Sequence, residues 1–90
     1  MTTFVLTYDL IKRKDYKTLW DELARLGAHR ALESFWLISL NNTAKEVVDH
    51  FRQYVDGDDR LWVSELTKSH HYTNARAGTN AWLAKNPPAR

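Results

Sequence analysis

The residue best placed for chemistry in this chain is an acid near the carboxyl end of the first predicted strand. The segment Thr3–Leu10 is rich in β-branched and aromatic residues, which is typical of a core strand, and it contains Asp9. Asp is uncommon within strands, and ligands of α/β sheets tend to bind at that edge of the sheet. Lys12, Arg13 and Lys14 follow shortly afterwards. A carboxylate beside three cations predicts metal or phosphate chemistry.

Both groups also have ordinary structural interpretations. Asp9 can end a strand by capping nearby amides in a turn, and a short basic run such as Lys12–Lys14 can be a solvated loop. The functional hypothesis makes Asp9 a metal ligand and makes the three cations contacts to phosphate.

Two adjacent histidines, His70 and His71, are weaker candidates. Neighbouring residues point to opposite sides of a strand and lie about 100° apart on a helix, so the two rings can share a ligand only in a loop. No His, Cys or acid stands at a recognised metal-ligand spacing from them. The sequence therefore argues against a metal there, and a general-acid role for either histidine stays open.

The composition places the chain among small single-domain proteins. It has 90 residues, 43% of them apolar and 27% charged, and it has no cysteine, which excludes disulfides and thiolate zinc sites. Met1 is not followed by the basic and apolar regions of a signal peptide. No segment approaches the roughly 18 apolar residues of a membrane span. We therefore expect a cytoplasmic protein without a membrane partner.

The net charge of +2 conceals an asymmetry. Residues 1–66 contain nine Lys and Arg against eleven Asp and Glu, whereas residues 67–90 contain four cations and no acid. We therefore divide the chain into a core over 1–66 and a basic, polar extension over 67–90, with a short helix at about 79–85. Such an extension favours a polyanionic or protein partner, and a solvated tail is the alternative.

Two helices are predicted by apolar stripes at helical spacing and by their end signals. Asp15 is a suitable N-cap for the first helix, which Gly27 would end. Thr43 and Glu46 form a capping-box pattern for the second helix, which is expected to continue to Val55.

Further strands are expected over Arg30–Leu40, as one strand or as two broken near Glu33-Ser34, and over Arg60–Leu66. With right-handed crossovers, this order of elements places both helices on the same side of one sheet. We therefore predict an α+β fold. It is a ferredoxin-like two-layer sandwich, an antiparallel sheet with two helices on one face, plus a short C-terminal helix.

The second face of that sheet is expected to be uncovered, because both helices lie on the first. Val5, Thr7 and Asp9 point to it. An exposed apolar face favours self-association about a two-fold axis. Aromatic rings on a sheet can also stack on nucleic-acid bases. The candidates on the predicted strands are Tyr8, Phe35, Trp36 and Trp62. Packing in a core or an interface is the preferred interpretation, because few cations accompany them.

Three segments of the chain resemble the CRISPR-associated endoribonuclease-like family, the second Cas protein. They are Phe4–Leu10, Arg30–Leu37 and Asp59–Leu66. Members have a first strand that ends in Tyr-Asp-hydrophobic, a central Ser-aromatic-aromatic stretch after Arg, and a final strand of alternating apolar residues. The chain is more similar to small bacterial relatives described as SinR-like. These share Thr-Tyr-Asp-Leu and a terminal Trp-Leu, here Trp82-Leu83.

The resemblance implies a homodimer with a shared metal site. In the family, the Asp that matches Asp9 is contributed by both subunits to a divalent cation, here Mg²⁺ or Mn²⁺, at the dimer interface. Asp9 would then be the catalytic residue of a weak metal-dependent endoribonuclease. The residues that would bind the phosphates of RNA or DNA are Lys12, Arg13, Lys14 and Arg30. The longer C-terminal extension and the lack of a second acid near Asp9 depart from the family pattern.

Two functions are expected from this sequence. The first is that of a small dimeric protein, similar to Cas adaptation proteins, which associates with nucleic acid and has the nuclease activity described above. The alternative is a non-catalytic adaptor on the same dimeric fold, whose protein partner binds the C-terminal segment or an exposed edge strand. Binding to nucleic acid that weakens steeply with salt would distinguish the first from the second.

Overall fold

Four strands form one antiparallel sheet in the computed structural model, which describes residues 1–11 and 16–90. In chain order they are β1 (Thr2–Asp9), β2 (His29–Leu32), β3 (Phe35–Leu40) and β4 (Arg60–Glu65). Their order across the sheet is β2-β3-β1-β4. The α-helices within these residues are α1 (Tyr16–Arg25), α2 (Ala44–Phe51) and α3 (Thr79–Lys85), and a 3₁₀ turn at Arg52–Tyr54 extends α2. The predicted α+β class and antiparallel sheet are confirmed.

The core lies between the sheet and helices α1 and α2. Alternate residues of β1, Phe4, Leu6 and Tyr8, are buried on this face. The helices contribute the apolar stripes that the spacing predicts, and their buried members in the same cluster are Leu19, Leu23, Val47 and Phe51. Both helices therefore pack on one face of the sheet, which we call the helix-covered face.

The segment Arg30–Leu40, for which the sequence allows one strand or two, folds as a hairpin of two strands. The pairing of β2 with β3 is irregular at Ala31. Ala31 is buried, and its carbonyl accepts a hydrogen bond from the backbone N–H of Arg76 at 2.9 Å. This bond attaches the C-terminal extension to the edge strand β2, so part of that edge is not free for pairing.

Gly27 ends α1 as predicted. Its φ angle is +76°, in the left-handed region that favours glycine. The backbone N–H groups of Gly27 and Ala28 donate to the carbonyls of Ala24 and Leu23, each at 3.0 Å. These are the two bonds of a Schellman motif. Asp15, the predicted N-cap of the same helix, lies outside the described residues.

The capping box at the start of α2 is also confirmed. The Thr43 hydroxyl accepts from the Glu46 N–H at 3.2 Å, and the Glu46 carboxylate accepts from the Thr43 N–H at 2.8 Å. The helix ends at Phe51, earlier than the predicted Val55, because the chain tightens into the 3₁₀ turn.

The C-terminal extension covers part of the second face of the sheet, which was predicted to be uncovered. Thr3 points to that face and donates through its hydroxyl to the carbonyl of Asn86 at 2.8 Å. Leu37, on the same face, is only 3% exposed. Trp82 of α3 donates through Nε1 to the carbonyl of Gly27 at 3.0 Å. Helix α3 thus packs over the β2 side of this face. None of the helices among the described residues is long and apolar enough to cross a membrane.

His29, the first residue of β2, helps to hold α3 against the sheet. The buried Thr79 donates its hydroxyl proton to the carbonyl of Arg76 at 2.7 Å, and the same hydroxyl lies 2.8 Å from His29 Nε2. Since a hydroxyl has only one proton, His29 Nε2 is the donor of the second bond. Burial lowers the pKa of His29, so the packing favours the neutral ring with its proton on Nε2.

A buried carboxylate joins the two core helices. Glu22 of α1 is 6% exposed and accepts two hydrogen bonds of 2.7 Å from the Arg25 guanidinium. Its other contact is with Nε2 of His50 on α2, at 2.5 Å. The hydrogen bond from Arg25 is the main reason that the pKa of Glu22 falls to about 2; burial opposes this shift and His50 adds to it.

We expect Glu22→Gln to lower the free energy of unfolding at pH 7 by about 1–3 kcal/mol, because the buried carboxylate loses its charge-assisted hydrogen bonds with Arg25 and His50. Since the pKa of Glu22 is lowered from 4.5, its stabilisation is complete above that pH and is lost as the pH falls toward about 2. Urea unfolding at pH 7 and through this acid range measures both effects. The variant should lose less stability in acid than the wild type, whereas the exposed Glu33→Gln should behave like the wild type. Equal acid losses in all three proteins would contradict this role of Glu22.

Candidate functional site

Asp9 lies at the end of β1, where β4 begins beside it. Its cross-strand neighbour is Arg60, whose Nη1 is 4.0 Å from Asp9 Oδ2. Both side chains are largely exposed, so this ion pair contributes no more than about 1 kcal/mol to folding. The Asp9 carboxylate therefore remains accessible to a cation or a ligand.

A second acid, Asp59, fixes the backbone around Asp9. One oxygen of the Asp59 carboxylate accepts from the backbone N–H of Ile11 at 2.7 Å, and the other accepts from the N–H of Asp56 at 2.8 Å. The first bond ties the chain that leaves β1 to the turn that precedes β4. Because both oxygens are engaged in this way, Asp59 positions the site.

A cleft of about 640 Å³ opens beside Asp9. Its lining combines aromatic rings with charges of both signs, and consists of Tyr8, Asp9, Leu10, Ile11, Tyr16, Trp20, Arg30, Glu33, Ser34 and Arg60. The structure thus brings together two residues that the sequence predicts for the site, Asp9 and Arg30. The other three, Lys12, Arg13 and Lys14, lie outside the described residues.

The wall of this cleft contains a tyrosine hydroxyl that two tryptophans share. Tyr8 is 5% exposed, and its oxygen accepts from Trp20 Nε1 at 2.6 Å and from Trp36 Nε1 at 3.3 Å. The two bonds join β1 to α1 and to β3. Both lone pairs of the oxygen are then engaged, so the hydroxyl has only its own proton left to offer.

Arg30 is held against the same wall. Its Cζ lies 4.3 Å from the centre of the Trp20 ring, a cation–π contact, and its Nε donates to the carbonyl of Glu33 at 2.7 Å. These contacts orient the guanidinium at the rim of the cleft. Arg30 comes from the helix-covered face, since it pairs with Trp36 across the hairpin.

Among the aromatic and charged residues of the cleft, sequence reasoning missed four: Tyr16, Trp20, Glu33 and Arg60. The two aromatic residues belong to the apolar stripe of α1, which gives no sign that its first turn borders a cleft. The signal for Arg60 is present, because an antiparallel pairing of β1 with β4 sets the first residue of one strand against the last of the other. Finding it requires the register, which the sequence does not specify.

An apolar row remains exposed on the second face, beyond the part that α3 covers. Trp62 of β4 is 68% exposed, and Thr7 lies between it and the half-buried Phe35. Leu32, which pairs with Phe35, is 43% exposed at the edge of the sheet. This exposed row is next to the Asp9–Arg60 pair, with a shallow cavity of about 230 Å³ between them. An apolar surface of this kind is typical of an interface.

The structure shows which of the four candidate aromatic residues pack in the core and which remain available for stacking on bases. Tyr8 and Trp36 are buried on the helix-covered face, where they pack in the core as preferred. Phe35 and Trp62 lie on the exposed row instead. A stacking surface for bases on this sheet would therefore have only the second pair available.

No group of three or more metal-ligating side chains is found among the described residues. His70 Nδ1 lies 2.6 Å from the carbonyl of Thr67, and its neighbour His71 is exposed. Asp9 offers oxygen ligands of the kind that Mg²⁺ and Mn²⁺ prefer, but one carboxylate requires further ligands from a substrate or a second chain.

No protein-family model matches the chain, and no solved structure matches it.

Proposed function

We propose that the chain is a ferredoxin-like homodimer of the CRISPR-associated endoribonuclease-like kind, which binds nucleic acid and cleaves RNA weakly with Mg²⁺ or Mn²⁺. The strand order β2-β3-β1-β4, with α1 and α2 on one face, is compatible with that topology. The motifs around Tyr8-Asp9-Leu10 and Trp82-Leu83 support the same family. A CRISPR-like family implies a cytoplasmic protein.

The observation that carries the proposal is the position of Asp9. Its carboxylate is 69% exposed and lies next to the exposed apolar row that contains Trp62. A two-fold axis through this region would bury the row and bring two Asp9 carboxylates together. The apolar row supplies the reason to associate, and the paired carboxylates supply the site.

Two carboxylates with water and a phosphate oxygen form a suitable ligand set for Mg²⁺ or Mn²⁺. When bound, the cation would lower the pKa of a water and offset charge on the phosphate. The chain's own residues have separate tasks. Arg60 would attract the phosphate beside Asp9, and Asp59 would keep Ile11, and with it the end of β1, in place.

The cations that follow β1 in the sequence, Lys12, Arg13 and Lys14, are the proposed contacts to the nucleic-acid backbone, together with Arg30. Such contacts are electrostatic and release counterions, so their number can be measured from the salt dependence of affinity.

Binding of fluorescent single-stranded RNA and DNA at increasing salt tests this proposal. With three or more phosphate contacts we expect log K to fall with log salt with a slope of about −2 or steeper. Replacing Lys12, Arg13 and Lys14 by Gln should flatten the slope. The control replaces Lys45, Arg52 and Lys85 by Gln, which changes the charge equally, and its slope should stay near that of the wild type.

The adaptor alternative is favoured by one specific observation, the position of β4 at an edge of the sheet, where a strand of a protein partner could pair with it. The C-terminal segment, its other predicted docking site, contacts its own sheet through Trp82 and Asn86. A dimer that binds neither RNA nor DNA at low salt would exclude the nucleic-acid function and support the adaptor.

A further inference from the structure

We propose that the cleft beside Asp9 binds a single nucleotide, whose phosphate accepts hydrogen bonds from Tyr8 and Arg30. The choice of a nucleotide as the ligand class rests on the proposed nucleic-acid function. The cleft itself is defined by contacts within one chain, so it does not depend on the dimer or on a metal.

The first argument is the unused proton of Tyr8. The side chain is 5% exposed, and both lone pairs of its oxygen accept indole N–H groups. The hydroxyl proton has no acceptor among the described residues. Tyr8 lines the cleft, so this proton is available to a bound ligand. An acceptor atom of a bound ligand would complete the hydrogen bonding of this hydroxyl.

The second argument is the position of Arg30. Its guanidinium packs on the ring of Trp20, and the same indole donates to Tyr8. The two donors thus contact the same indole, and the proposed phosphate lies against both. Among the described residues, the hydrogen bond of Arg30 runs from Nε to the carbonyl of Glu33, which leaves its terminal N–H groups for a phosphate. Arg60, on the opposite strand, adds a second cation to the lining.

The third argument is that the cleft lining contains charged side chains of both signs together with aromatic rings. A bare anion would be repelled by the carboxylates of Asp9 and Glu33, and an apolar ligand would cover the charged groups of the lining without offering them polar partners. A nucleotide carries hydroxyl and amino donors as well as a phosphate, so it can pair with groups of both signs. The ring of Tyr16 gives its base an apolar surface. The volume of about 640 Å³ lies within the range of small-molecule sites.

The four tryptophans of the chain provide a test. Titration of the metal-free protein with each 5′-mononucleotide, followed by the indole N–H signals in ¹H–¹⁵N spectra, should shift Trp20 and Trp36, which both donate to Tyr8. Trp82, which donates to the carbonyl of Gly27 and is not part of the cleft lining, should stay unchanged. The corresponding nucleosides, which lack the phosphate, should bind at least about tenfold more weakly.

Arg30→Gln should raise the dissociation constant of the nucleotide by about tenfold or more, and Arg52→Gln, an equal charge change outside the cleft lining, by less than about twofold. Absence of shifts at about 10 mM nucleotide, equal affinity for nucleosides, or equal effects of the two variants would overturn the proposal. The outcome is separate from the proposed function. If nucleotides shift the indole signals but RNA does not bind, the nucleotide site is supported and the proposed function is rejected. If RNA binds but nucleotides cause no shifts, the proposed function is supported and the nucleotide site is rejected.

Discussion

Asp9→Asn is expected to lower the rate of Mg²⁺-dependent RNA cleavage by roughly 100-fold or more. A metal at the site would supply several kcal/mol of transition-state stabilisation, and each 1.4 kcal/mol corresponds to a factor of ten in rate. The substitution keeps the shape of the side chain but removes the charge that holds the cation. Single-turnover cleavage of labelled RNA, over a series of Mg²⁺ and Mn²⁺ concentrations, measures this loss.

The fold should be almost unaffected by this substitution. The contact between Asp9 and Arg60 is 4.0 Å long and largely exposed, so its loss costs less than about 1 kcal/mol. RNA binding without metal should also persist, since Asp9 is not itself one of the proposed phosphate contacts. Asp49→Asn is the matched control, because Asp49 is also an exposed carboxylate in a surface ion pair, with Lys45. Cleavage that survives in Asp9→Asn, or is lost equally in Asp49→Asn, would rule out the metal mechanism.

Tyr8→Phe should produce the largest loss of stability among hydroxyl deletions, about 2–4 kcal/mol. The substitution removes one oxygen but leaves two indole N–H groups, of Trp20 and Trp36, without their acceptor. Each such group costs about 1–3 kcal/mol, and the longer bond from Trp36 places its share at the low end. For a domain of this size the loss corresponds to a fall in Tm of about 8–32 °C.

A double-mutant cycle tests the cause of this effect. In a Trp20→Phe background, Tyr8→Phe leaves one donor without an acceptor instead of two, so its cost should fall by about 1 kcal/mol or more. The control is Tyr54→Phe, because the Tyr54 hydroxyl makes no hydrogen bond to any described residue, and its effect should be within about 0.5 kcal/mol of zero. Additive effects of the Tyr8 and Trp20 substitutions would show that the shared hydroxyl is not the cause.

The parts of the fold that the sequence predicts well are those with local causes. Gly27 ends α1 because its position requires a left-handed φ angle, and Thr43 and Glu46 start α2 by satisfying each other's amides. The alternation along β1 assigns Phe4 to the core face in the same way. Each of these features depends on residues close together in the chain.

The features that escaped prediction depend on distant residues. The cover formed by α3 arises from bonds such as Thr3 to Asn86, which are 83 residues apart. The contact of Arg60 with Asp9 depends on the register of β4 against β1. The hydrogen bond from Trp20 to the Tyr8 hydroxyl depends on how α1 packs on the sheet, and a single sequence does not specify such packing.

The most direct test of the proposed function is the structure of the dimer crystallised with Mn²⁺, with the metal located by anomalous scattering. We expect one Mn²⁺ on the two-fold axis, with oxygens of both Asp9 carboxylates within about 2.0–2.3 Å of it, and the exposed row around Trp62 buried between the subunits. Asp9 carboxylates more than about 8 Å apart in the dimer, too far to share one cation, would contradict the account.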